Sequence, residues 1–388
     1  MKKLFFYGNI HVDDLSIGIT KKVFSQIDTL KNLGFEVYYT GYLKNGVAIF
    51  NSNDELVKKK IYKNINKKIN NYLRRWHLLS ISNEFIKNSK ITFDYSYLRF
   101  HFFDKYYLDL LKSLKKAGSK TIVEAHSYPY RSIKQINYLP IYIFDILYEP
   151  FSRKYIDLVA AISNHNNIWG CKTVQIDNAI NLEEVKLINR TILKKDKTIR
   201  LISVSNERYY HGYEKLVKGL HKYYLNGGNR EIEIHFVGEF RKKTKKLVEE
   251  LNLNNRIIFH GKKYGEELEK IYKKMDLGIG ALSSKAGSEY GSAIKTKEYF
   301  AKGLPFINGM KEYAFDDSYP YVKRFNLNDE IIDFNQVVKF YDLIKNSNND
   351  YPKKMRQFAK ENYTWEGQFN IDYKKIYLII ILLNLSLE

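Results

Sequence analysis

Cysteine is almost missing from this sequence: its 388 residues include one, Cys171. A single thiol excludes an internal disulfide framework and any cysteine-based zinc cluster, and it fits a reducing compartment. Proline (6) and glycine (21) are sparse, which excludes a collagenous or linker-rich chain. Long apolar runs are lacking too. The longest, Tyr377-Leu-Ile-Ile-Ile-Leu-Leu383, falls well short of the roughly 20 residues of a membrane-spanning helix, so a buried or interfacial segment is expected there. The opening Met1-Lys2-Lys3 is basic, but the apolar run after it is too short for a signal peptide, and Leu4–Gly8 reads as a first strand. The chain has no Gly-x-Gly-x-x-Gly, no P-loop, no His-Glu-x-x-His and no Gly-x-Ser-x-Gly, so the ordinary dinucleotide, mononucleotide, zinc-protease and serine-hydrolase signatures are excluded. Asp316-Asp317 is the nearest approach to an acidic metal motif, and it reads as a solvated loop pair.

What is present is a globular composition, 44% hydrophobic and 28% charged, long enough for two or three domains. Lys and Arg number 64 against 43 acids, a net charge of +21. Such a balance invites nucleic acid, an anionic membrane surface or anionic ligands. No nucleic-acid motif accompanies it, and the aromatics are spread through strands, so a nucleic-acid partner is not expected.

Apolar periodicity alternates between strand and helix. Leu4–Gly8 is followed by Val23, Ile27, Leu30 and Leu33 at helical spacing, then by an extended Phe35–Tyr39. The pattern returns at Tyr95–Phe100, Tyr106–Lys116 and Thr121–Ala125, and a second series runs from Leu201 to Ile307. Strands alternating with helices of about ten residues predict parallel sheets wound on both faces, hence two α/β domains in series. The join is expected after Ile176, with domains over 1–180 and 181–364. Ligands of such sheets sit at the carboxyl ends of strands, so a cleft between two facing domains is the expected site.

Two βα turns carry candidate chemistry. In Val204-Ser-Asn-Glu-Arg-Tyr-Tyr-His-Gly212, residues Arg208, His211 and Gly212 fall where a diphosphate could meet a helix N-terminus. In Ser288-Glu-Tyr-Gly-Ser-Ala-Ile-Lys-Thr-Lys-Glu298, residues Gly291 and Ser292 offer backbone N–H groups to an anion, Lys295 adds a cation, and Glu298, placed in the first helical turn, can accept from vicinal hydroxyls. A third feature is basic. Lys58 to Arg75 holds eight Lys/Arg and no acid, with Ile61, Ile65, Ile69, Tyr72 and Trp76 three or four apart. This predicts an amphipathic helix over 58–76 suited to an anionic membrane surface.

The motifs resemble those of glycosyltransferase family 4. Lys297-Glu-Tyr-Phe-Ala-Lys-Gly-Leu-Pro305 is similar to the family's nucleotide-sugar signature, and His211-Gly-Tyr-Glu-Lys-Leu216 to its His-Gly-Tyr-Asp-Arg-Leu turn. Asp177-Asn-Ala-Ile-Asn181 resembles Asn-Gly-Ile-Asp, and Tyr363-Thr-Trp-Glu366 resembles Ser/Thr-Trp-Glu. The resemblance implies a GT-B fold of two Rossmann-like domains facing a cleft, with a last helix (365–388) returning to the first domain. It implies a retaining, metal-independent transfer with a nucleoside diphosphate sugar as substrate and no cofactor. Residue by residue, Glu298 matches the second glutamate of the Glu-x7-Glu pair and would hold the ribose. The first would be at 290, where this chain has Tyr290, with Glu289 one residue early: either the loop bulges so that Glu289 serves, or the donor-sugar contact has changed. His126, ending Thr121-Ile-Val-Glu-Ala-His126, resembles the histidine placed against the donor sugar, and Gly18 the glycine that brings backbone close to donor and acceptor. Arg99 and Arg131 are further cleft candidates. The expectation is a cytoplasmic, membrane-peripheral enzyme moving a sugar, UDP-linked, to a glycan or lipid-linked acceptor in surface polysaccharide assembly. The alternatives are a GT-B scaffold without transfer activity and a basic nucleic-acid binder.

Overall fold

The computed structural model describes residues 1–13, 18–62, 67–126, 128–132, 139–188, 198–283, 289–347 and 350–367. These form two compact units that divide between Asp177 and Asn178. The helix expected over 365–388 lies outside the described residues from 368 onward, as does the apolar run Tyr377–Leu383.

The first unit begins β1 (Lys3–Tyr7), α1 (Gly18–Asn32), β2 (Glu36–Leu43), β3 (Gly46–Phe50), β4 (Leu56–Ile61), α2 (Lys67–Asn88) and β5 (Tyr95–Arg99). It continues α3 (Lys105–Lys116), β6 (Lys120–Ala125), α4 (Leu139–Ser152), β7 (Leu158–Ala161), β8 (Asn167–Ile168) and β9 (Cys171–Gln175). Among the described residues its sheet runs β4-β3-β2-β1-β5-β6-β7-β9-β8. The strands from β2 through β1, β5, β6 and β7 to β9 are parallel. Leu4, Phe5, Phe6 and Tyr7 are all buried, as a central parallel strand covered on both faces requires.

The basic segment 58–76 is not one helix. Lys58–Ile61 belongs to β4, antiparallel to β3, and helix resumes only at Lys67. The turn before β4 decides this: the Asn51 side chain accepts from the backbone N–H groups of Asn53 and Glu55, reversing the chain and laying 56–61 along β3. The apolar spacing from Ile61 to Trp76 therefore spans two elements, and Trp76 stacks on Tyr106 of α3 at 5.4 Å. Residues 63–66, between them, lie outside the described residues.

The second unit runs β10 (Ile199–Val204), α5 (Tyr213–Leu225), β11 (Ile232–Val237), α6 (Lys242–Glu250), β12 (Ile257–Phe259) and α7 (Gly265–Tyr272). There follow β13 (Leu277–Ile279), α8 (Ile294–Lys302), β14 (Phe306–Asn308), β15 (Val322–Arg324), α9 (Phe334–Asn346) and α10 (Tyr351–Asn362). Its sheet, β12-β11-β10-β13-β14-β15, is parallel throughout. The alternating series expected from Leu201 to Ile307 is present element by element. Gly303 ends α8 in the left-handed region at φ +64, where a Cβ would meet Pro352 of α10 at 2.5 Å.

Candidate functional site

In the second unit β10 has β11 on one side and β13 on the other. The winding reverses there, which leaves a crevice at the carboxyl ends of the two strands. The loops that follow β10 and β13 are tied together, since Leu282 N–H donates to the His211 carbonyl at 2.9 Å. Gly212, at φ +70, makes the turn into α5, and a Cβ on it would sit 2.9 Å from the Leu282 carbonyl carbon.

His211 is buried, and its Nδ1 accepts from the Arg208 backbone N–H at 3.3 Å. Burial, then the charges of Lys295 and Arg208, push its pKa down to about 3. The imidazole is therefore neutral near pH 7, and with Nδ1 accepting, its proton sits on Nε2 as a donor. Arg208 itself is exposed beside it. Lys295, in the first turn of α8, is turned inward. Its ammonium donates to the Gly280 carbonyl (2.8 Å) and the Tyr213 hydroxyl (3.2 Å), with Ser203 Oγ at 3.5 Å. The Tyr213 hydroxyl in turn lies 2.6 Å from Ser203 Oγ and from Ser205 Oγ. Tyr213, Ser203 and Ser205 form the underside of the crevice and were not singled out in the sequence. The adjacency of Tyr213 to the His211-Gly212 turn was the available signal.

Glu298 stands in the second turn of α8 and not the first, because the helix opens at Ile294. It is half-buried, and its charge raises the hydroxyl pKa of Tyr272 and Tyr299 after burial. Ser292 is held by Asn178, whose N–H donates to Ser292 Oγ (3.1 Å) and whose side-chain amide donates to the Ser292 carbonyl (2.5 Å). The Asp177–Asn181 motif thus fastens the loop entering α8. Ile180 N–H reaches the Tyr363 carbonyl at 2.8 Å, which joins this motif to the last one. Gly291 N–H donates to the Lys311 carbonyl, and Lys311 N–H to the Glu289 carbonyl, at 3.0 and 2.8 Å. The Glu289 carboxylate is exposed and paired with Lys311 at 2.8 Å; Tyr290 stacks on Tyr313 at 4.9 Å. Both residues at the altered position have partners in the loop that follows β14. Asp316 accepts from Ser318 and Asp317 pairs with Arg324.

In the first unit β1 lies between β2 and β5, a second reversal point. Gly18 is the first residue of α1; residues 14–17 before it are outside the described set. His126 follows β6, and its Nδ1 has no hydrogen-bond partner among the described residues. Two residues back on the same strand is Glu124, fully buried. Its carboxylate accepts from Tyr97 Oη (3.0 Å) and Gln26 Nε2 (3.2 Å), with Lys22 Nζ and Arg99 Nε each 3.5 Å away. Burial alone would raise the Glu124 pKa, but Arg99 and Lys22 outweigh it and hold it down to about 2. Burial and Arg99 lower His126 to about 3, so this imidazole too is neutral. Glu124 was legible as the i−2 neighbour of His126 on one strand face; Lys22 and Gln26 carried no motif. Arg131 is engaged away from this cluster, with Asp145 at 2.6 Å and Glu149 at 2.5 Å.

Residues 185–362, most of the second unit, match the family model described as glycosyl transferases group 1. None of the curated proteins matches the sequence significantly. Among solved structures, sucrose-phosphate synthase from Thermosynechococcus elongatus is similar at 14% identity and a TM-score of 0.62, over 97% of this chain and 100% of that one. The lipopolysaccharide outer core galactosyltransferase WaaB is similar at 14% identity and TM-score 0.57, over 97% and 99%. A trehalose-6-phosphate protein from E. coli, bound with UDP-2-fluoro glucose, is similar at 13% identity and TM-score 0.59, over 96% and 98%. The chain has the GT-B fold of these transferases, and its crevice in the second unit lies within the stretch matched by the group 1 glycosyltransferase model.

Proposed function

We propose that this protein is a glycosyltransferase of the family 4 type. It moves a sugar, with retention and without a metal ion, from a nucleoside diphosphate sugar to a hydroxyl of a glycan or lipid-linked glycan in surface polysaccharide assembly. UDP is the proposed nucleotide, as in the similar structure bound with UDP-2-fluoro glucose. The protein would act at the cytoplasmic face of a membrane. The observation that carries the reading is the turn Arg208–Gly212. It places an exposed guanidinium, a neutral Nε2–H donor and the N-terminus of α5 at the reversal point of the second sheet. Departure of the nucleotide leaves negative charge on its diphosphate, and preorganised donors of this kind stabilise such charge without reorganising. Lys295 acts from beneath, fixing Tyr213 and the Gly280 carbonyl and adding field to the crevice. Glu298 is the proposed ribose ligand. In the first unit the neutral His126, two residues beyond Glu124, is the proposed contact to the donor sugar, whose reacting carbon passes through an oxocarbenium-like state.

Support comes from the family match, the fold and this site. A thermal-shift screen of nucleotide sugars tests the reading, because a ligand at 100 times its Kd adds about 2.7 kcal/mol of stability. Stabilisation by one UDP-sugar, followed by acceptor-dependent UDP release that persists in EDTA, is the expected result. No stabilisation by any nucleotide sugar overturns it. A second reading, a GT-B scaffold without turnover, is favoured by the pairing of Glu289 with Lys311 and of Tyr290 with Tyr313. Donor binding without UDP release across acceptors distinguishes it.

A further inference from the structure

Helix α4 is built inside out. Asp145 on its inner face is fully buried, accepting from Phe103 N–H at 2.8 Å and Tyr130 Oη at 2.7 Å, and paired with Arg131. Ser152, also fully buried, lies on the same side. The opposite face carries Leu139, Ile143, Phe144, Ile146, Leu147 and Phe151, each between 50% (Phe144) and 60% (Phe151) exposed. At 3.6 residues per turn these six cover an arc of about 160° centred opposite Asp145. Soluble helices turn the apolar stripe inward, and a contiguous outward patch of this kind marks a surface that meets something apolar.

What surrounds the patch is basic. Helix α3 packs between α2 and α4 and buries Tyr107, Leu108, Leu110, Leu111 and Leu114. Its outward stripe is Lys105, Lys112 and Lys116, all exposed, at i, i+7 and i+11, with the half-buried Asp109 at i+4 as the one acid among them. Arg153 and Lys154, exposed, follow the C-terminus of α4. The acids on α4 are neutralised locally, Asp145 and Glu149 both by Arg131. An apolar helix face beside a row of lysines is complementary to a lipid interface of negative surface charge. The helix has 14 residues, too few to span a bilayer but enough to lie in its surface. No helix among the described residues is long and apolar enough to cross a membrane.

We propose that α4, flanked by the lysine stripe of α3, is the surface by which this protein docks on an anionic membrane. The six apolar side chains enter the headgroup boundary while Lys105, Lys112 and Lys116 meet lipid phosphates. This deepens the membrane-peripheral part of the proposed function and moves the contact from residues 58–76 to α3 and α4. It is read separately from sugar transfer, so either can fail alone.

The test is co-sedimentation of the full chain with phosphatidylcholine vesicles, with and without phosphatidylserine, at low and high salt. Wild type is expected to bind the anionic vesicles, and more weakly at high salt as screening tightens. Phe144→Glu/Leu147→Glu should weaken binding by about tenfold or more with unchanged melting temperature, because both sites are half-exposed. A triple variant, Lys105→Gln/Lys112→Gln/Lys116→Gln, should lose about fivefold per charge at low salt only. Ile146→Ser/Phe151→Ser provides a second apolar variant if the first fails to fold. The proposal is overturned if wild type ignores anionic vesicles or if folded α4 variants bind as wild type does. It is also overturned if light scattering shows a dimer that the α4 variants dissociate, which would make a second copy the occupant.

Discussion

Arg99 Nε lies 3.5 Å from a Glu124 carboxylate oxygen, with both side chains out of solvent. Lys22 approaches the same oxygen to 3.5 Å, so one buried carboxylate faces two buried cations. Removing it takes this counter-charge from both. Glu124→Gln is expected to cost about 3–5 kcal/mol of stability, the scale for breaking a buried pair. Urea denaturation measures it, and a loss under about 1 kcal/mol, as for an exposed pair, contradicts the assignment.

The same carboxylate has a pH signature. Its pKa in the fold is about 2, below the roughly 4.3 of an unfolded glutamate. The unfolded chain therefore binds the proton first. The stability Glu124 provides is complete above about pH 4.3 and is lost as pH falls toward 2.

Histidines act higher on the scale. Burial, aided by nearby cations, lowers His126 and His211 to about 3 and His101 to about 4. An unfolded histidine takes its proton near pH 6.5. Between there and about pH 4 the unfolded state binds more protons, so stability should fall as pH drops through this window. Urea midpoints measured from about pH 7.5 down to 5 should decline, and replacing the three histidines by Gln should flatten the slope.

Gly212→Ala places a Cβ at φ +70 and 2.9 Å from the Leu282 backbone. The expected cost is about 1–3 kcal/mol. UDP affinity should fall with it, since the turn carries both Arg208 and His211. Calorimetric titration with UDP, alongside thermal melting, checks the two effects together; unchanged affinity in the folded variant would detach this turn from the nucleotide.

Glu298→Ala should weaken UDP binding by about 1.5–3 kcal/mol, the value of hydrogen bonds to a charged group. The residue is half-buried, so the melting temperature should hold. Unchanged affinity in the folded variant would remove Glu298 from the site.

The second unit was largely legible because each strand is a short apolar run and each helix is amphipathic. Gly238, Gly261 and Gly303 stood at element ends as punctuation. The first unit was less so, for two physical reasons. Periodicity at Ile61, Ile65 and Ile69 mimicked one helix across a strand and its neighbour, while the deciding turn at Asn51 lay outside the window. Helix α4 gave no amphipathic signal in the usual sense, since its polar residue Asp145 is the buried one and its apolar residues face out. At the site, His211, Gly212 and Lys295 were found by motif. Lys22 and Gln26 were not, because a network closed by tertiary contact between α1, β5 and β6 leaves no spacing along the chain.

Among the described residues strand β4 ends the first sheet, and an edge strand offers its outer backbone groups to other extended chains. Leu56, Val57 and Ile61 are exposed there, which would make the edge adhesive if they stood alone. Lys58, Lys59 and Lys60 stand between them. A second molecule adding the same strand in either direction would bring like charges into register, and ladder growth from molecule to molecule would be blocked. Those lysines act as gatekeepers against aggregation: exchanging Lys58, Lys59 and Lys60 for valine would leave a continuous β-branched ribbon from Val57 to Ile61 on the rim, free to polymerise.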